Sequence, residues 1–66
     1  MKDFQQRVID EKTELDAKLK RLVEFVKGGP VFDSLHPSEQ DRLHRQSRIM
    51  TLYSEVLRER IEAFKS

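Results

Sequence analysis

Apolar side chains return along this chain at helical spacing in two long runs, and a single break divides them. Phe4, Val8, Leu15, Leu19, Leu22, Phe25 and Val26 make the first row, the stripe expected of one amphipathic helix. The row predicts a helix from Asp3 to about Lys27. Asp3 is placed to cap its first turn with its carboxylate, and Lys27 is placed to complement the negative end of the dipole. Gly28-Gly29-Pro30 then stops the helix, since glycine accepts left-handed dihedrals and proline cannot continue the ladder. A second helix is predicted from Pro37, a residue pre-set for the first helical position, to about Lys65. Leu43, Met50, Tyr53, Leu57, Ile61 and Phe64 form its stripe. Val31, Phe32 and Leu35 in the connection are expected to fold back as a plug. The fold class is therefore all-α: one antiparallel two-helix hairpin over residues 1–66, with its turn at about 28–36.

More apolar residues are present than one hairpin can bury. Ile49, Leu52 and Val56 form a second row on the second helix, and Ile9 and Val23 lie off the main face of the first. Such a surplus suits a further hairpin, giving a helical-bundle homo-oligomer with these five residues at the interface. The competing reading is a scatter of exposed apolar side chains, which is common.

Length sharpens this expectation. A 66-residue chain with no cysteine has a marginal core and cannot staple it with disulfides, so association is the remaining route. Two histidines, His36 and His44, do not make a metal site without further ligands, and no cofactor is expected. No apolar run approaches the ~20 residues that cross a bilayer, and the first residues lack the apolar core of a signal peptide. A soluble, cytoplasmic protein is expected.

Written as heptads with Val8, Leu15 and Leu22 at one seam position, the other seam position holds Phe4, Glu11, Lys18 and Phe25. The matching positions of the second helix hold Glu39, Gln46, Tyr53 and Arg60. Polar residues in a seam can set register and oligomer state, or they can line a pocket at a subunit junction. Charge divides unevenly too. The net charge is +1 overall, but residues 18–48 carry seven basic and four acidic groups. Folding back concentrates these at the loop end, which becomes basic and suited to phosphates. A solvated face laced with i,i+4 pairs is the plainer alternative.

No Ser/His/Asp set, HExxH or P-loop is present, so catalysis is not expected. If the basic end binds a ligand, Lys18, Arg21, Arg45 and Arg48 are the candidates for holding phosphates. Tyr53 would stack on a base, with Glu11 and Gln46 reading its edge. Two other readings stay open. The Ile49–Leu52–Val56 row could dock in a groove on a host protein, or the Arg42–Arg48 face could bind nucleic acid, against which the low net charge argues.

The run Arg7-Val8-x-x-Glu11-x-x-x-Leu15-x-x-Lys18-x-x-x-Leu22-x-x-Phe25-Val26, followed by Phe32, Leu35, Glu39-Gln40, Gln46, Met50, Tyr53 and Arg60-Ile61, resembles the small helical hairpins of crAss-like and many other tailed phages. The resemblance spans nearly the whole chain and implies a phage accessory protein acting in the host cytoplasm. In size and form the chain is also similar to the phage sponges that hold cyclic nucleotide signals between subunits. It lacks their glycine–tyrosine–arginine opening and their glutamine–glycine–phenylalanine stretch, so no ligand residues carry over. The resemblance implies an anti-defence role, with a cyclic nucleotide or a cyclic ADP-ribose type of signal as the ligand.

Overall fold

The computed structural model describes residues 3–65, and these are all-helical, with no strand among them. Three helices follow one another: α1 (Asp3–Val26), α2 (Pro30–Asp33) and α3 (Pro37–Ala63). The long pair, α1 and α3, pack lengthwise against each other in a rod of 46 × 14 × 14 Å. Phe4 meets Phe64 at one end (centroids 5.7 Å apart), and Lys12 meets Ser54 midway, so the two run antiparallel.

Val8 and Leu15 from α1 and Leu57 from α3 form the core, with Met50, Ile61 and Phe64 packed around it. Leu57 is fully buried. A second small centre lies at the connection. Buried Phe32 presents ring edges or faces to Phe25 and His44, with centroids 5.6 and 5.5 Å apart and planes nearly perpendicular. Perpendicular aromatic pairs of this kind add stabilisation beyond the area they bury.

The connection, expected as a turn at about 28–36, holds a short helix. Pro30 opens the single turn α2, which closes with an Asp33 N–H bond to the Gly29 carbonyl at 2.8 Å. Pro30 needs no donor there, and the φ angles of 114° at Gly28 and 143° at Gly29 require glycine. Phe32 folds back as expected, but Val31 points outward and is 66% exposed. A four-residue helix presents only one side to the core, and Phe32 occupies that side.

The helix ends also depart from expectation in detail. Asp3 is already inside the first turn of α1, and the position ahead of it lies outside the described residues. Lys27 falls just past α1 and pairs with Glu24 at 3.2 Å. At α3 the cap is His36, whose Nδ1 accepts the Ser38 N–H at 3.1 Å while Pro37 takes the first helical position. The helix closes at Ala63, two residues earlier than the pattern suggested.

Candidate functional site

The basic end of the rod is built by the first turns of α3. Ser38, Asp41, Arg42, Arg45 and Arg48 recur every three or four residues, so one helix face carries three guanidinium groups. With His44 at the edge they line an open groove of about 730 Å³. Glu39 holds Arg42 through a 2.8 Å contact to its Nε. Among the described residues, Arg45 and Arg48 have no ion-pair or hydrogen-bond partner. An unpaired planar fork is suited to bidentate contact with phosphate, and the Asp41 carboxylate lines the same groove.

Gln40 fixes this face relative to the turn. Its side-chain amide donates to the carbonyls of Phe32 (3.1 Å) and Leu35 (3.0 Å). The Leu35 carbonyl thereby gains a donor, and the Phe32 carbonyl a second one beside the Leu35 N–H. Sequence patterning gives no sign of this role, because it depends on how the connection turns back over α3.

The seven proposed ligand residues do not come together in one chain. Arg45 and Arg48 share the groove, whereas Arg21 lines a separate, more apolar depression beside Phe25, Val31 and Phe32. Lys18 and Glu11 are exposed on α1. Gln46 contacts the Sδ of Met50 at 3.8 Å, and Tyr53 is partly exposed on α3. The heptad reading placed Glu11 and Lys18 in the seam; the structure corrects this. A helix of 3.6 residues per turn drifts about 20° per heptad from a strict seven-residue repeat, so this row lies on the flank and not between the helices.

A different polar cluster joins α1 to α3. Lys12 Nζ donates to Asp16 Oδ2 at 2.6 Å and to Ser54 Oγ at 3.0 Å, and Ser54 Oγ donates to Asp16 Oδ1 at 2.5 Å. The three groups satisfy one another and fix the register of the helices. The hydrogen bonds from Lys12 and then Ser54 hold the Asp16 carboxyl below its ordinary value of 3.8. A depressed carboxylate pKa stabilises the fold above the unfolded value, and this stability is lost as pH falls through the folded value. Wild type should therefore out-melt Asp16→Asn at neutral pH by less than about 1 kcal/mol, the pair being partly exposed. Melting curves taken at successively lower pH should converge below the ordinary aspartate value. A gap that persists in strong acid would show that Asp16 acts through packing alone.

The predicted interface residues lie at the surface of the single chain. Ile49, Leu52 and Val56 are 60%, 61% and 52% exposed. Val23 is exposed to a lesser degree, and Ile9 is half-buried. Among the described residues no group of acidic or histidine side chains is arranged to hold a metal ion, and no helix is long and apolar enough to cross a membrane.

The Sequestin family profile matches residues 2–63, nearly the whole chain. This protein belongs to the Sequestin family. The Sequestin name is consistent with binding and sequestering another molecule. No curated relative and no solved structure matches the chain.

Proposed function

We propose that this protein is a phage-encoded anti-defence factor that withdraws a phosphate-bearing nucleotide signal from the host cytoplasm by binding it without cleavage. In this reading the helical hairpin is the building block of a homo-oligomer, and the ligand sits where copies meet. The observation that carries the proposal is the groove on α3 in which Arg45 and Arg48 have no partner among the described residues. Membership of a family named for sequestration supports it. Cyclic di- and trinucleotides and cyclic ADP-ribose isomers have the required chemistry: phosphates for the guanidinium groups and a base for an aromatic face.

An open groove on one helix covers only part of a nucleotide, whereas ligand sites commonly enclose most of the molecule they hold. A site completed by a second copy resolves this shortfall. Lys18, Glu11, Gln46 and Tyr53, which do not meet the groove within one chain, would then belong to the other wall. The test is retention. Protein mixed with the nucleotide panel is ultrafiltered, and the filtrate is assayed before and after heat denaturation. Depletion of one nucleotide, followed by its intact release on heating, is the expected result. Passage of every nucleotide, or release of a hydrolysed product, overturns the reading.

The exposed row Ile49–Leu52–Val56 favours a second reading, in which this face docks on a host protein and inhibits it. Crosslinking separates the two, because a row occupied by another copy of the chain is not free for a host partner.

A further inference from the structure

Ile49, Leu52 and Val56 lie on the side of α3 turned away from α1, since Met50, Leu57 and Ile61 of the same helix face the core. Their 3 and 4 spacing is that of a coiled-coil seam. Four charges close to this seam are sorted by position. Arg45 and Arg48 come before its midpoint and Glu55 and Glu59 after it, and Arg48, Glu55 and Glu59 project from the same flank. None of these four has an ion-pair partner among the described residues.

We infer that α3 pairs with α3 of a second copy, antiparallel, about a two-fold axis passing near Leu52. An isologous contact brings the same patch of both copies together. When two identical helices pair antiparallel, each flank meets itself in reverse order. Arg48 of one copy then lies across from Glu55 of the other, and Arg45 lies near Glu59. Ile49 packs beside Val56, and the two Leu52 side chains meet at the axis. A parallel pairing would set Arg45 against Arg45 and Glu59 against Glu59 at the ends of the seam row, which is unfavourable. The charge order thus selects both the occupant of the apolar row and its direction. It also places the mouth of the arginine groove beside the second copy. The ion pairs are exposed and weak, so a phosphate can displace the carboxylates without dismantling the seam.

This inference rests on the self-association proposed above and specifies its geometry. The chain has no cysteine, so crosslinking through introduced ones reads cleanly. Ile49→Cys and Val56→Cys are prepared separately, and both substitutions fall at exposed positions that leave the core intact. Under mild oxidation, a mixture of the two should give a mixed dimer. Each alone should crosslink poorly, because Ile49 of one copy lies about 9 Å along the axis from Ile49 of the other, beyond disulfide reach. Leu52→Glu should shift sedimentation from a multimer to the 7.9 kDa chain. Self-crosslinking of each single variant as fast as the mixture overturns the antiparallel geometry, and so does a wild-type chain that sediments as a monomer at tens of micromolar. Nucleotide retention is measured on the same samples. An oligomer that retains nucleotide without the 49–56 crosslink would overturn this geometry and leave sequestration standing. A crosslinked oligomer that retains none would support this geometry and overturn sequestration.

Discussion

Replacing both Arg45 and Arg48 by alanine is expected to abolish nucleotide retention while leaving the helices intact. A hydrogen bond to a charged group contributes about 1.5–3 kcal/mol, so losing two such contacts weakens binding by roughly two to four orders of magnitude. Both side chains are exposed and are not members of the core cluster, so the circular-dichroism spectrum should not change. Assembly should survive as well, because the exposed ion pairs proposed for these arginines are each worth under about 1 kcal/mol. The lysine variants make the distinction finer. A lysine keeps the charge but loses the planar fork, and its affinity should fall between wild type and alanine. Unchanged retention by the double alanine variant would remove the groove from the site.

The largest effect on stability is expected from Leu57→Ala. Among the described residues Leu57 is the one side chain with no exposure at all, and it packs against Val8 and Leu15 across the helix pair. Truncating a buried leucine costs about 2–5 kcal/mol. A domain of this length has about 3–10 kcal/mol in total, so the variant should lose its cooperative melt or unfold below physiological temperature. Val31→Ala is the natural control, because Val31 projects from α2 into solvent. Its melting point should move little, within the ±0.5 kcal/mol usual for surface changes. Both variants are compared at one protein concentration, since association shifts apparent stability by mass action. Similar melts for Leu57→Ala and Val31→Ala would mean that the core cluster is not what holds the helices together.

The helices and their break were legible because the signals were local. Gly28-Gly29-Pro30 and Pro37 act through their own dihedrals, and the apolar rows act through a period that any window of the chain contains. The surplus row Ile49–Leu52–Val56 was legible for the same reason, and the structure leaves it exposed. Long-range relations were not legible. Gln40 bonds carbonyls five and eight residues back, and Lys12 finds Ser54 from 42 residues away. No periodic template holds those pairings. The heptad frame misplaced Glu11 and Lys18 because it assumes supercoiling, and a flank position differs from a seam position by only a small rotation. At the groove, the clustering of Arg42, Arg45 and Arg48 was visible in the sequence. Which of them lack an intramolecular partner became visible only once Glu39 was seen to hold Arg42.

The aromatic contact between Phe4 and Phe64 has a practical consequence for handling this molecule. It brings the two ends of the described chain together at one tip of the rod, while the arginine groove opens toward the other. A tag, fluorophore or surface anchor attached at either end therefore projects away from the groove. Two copies could also be fused in tandem through their neighbouring ends by a flexible peptide spacer. Such a fusion would fix the number of binding faces per molecule and allow one face to be inactivated while its neighbour is kept as an internal standard.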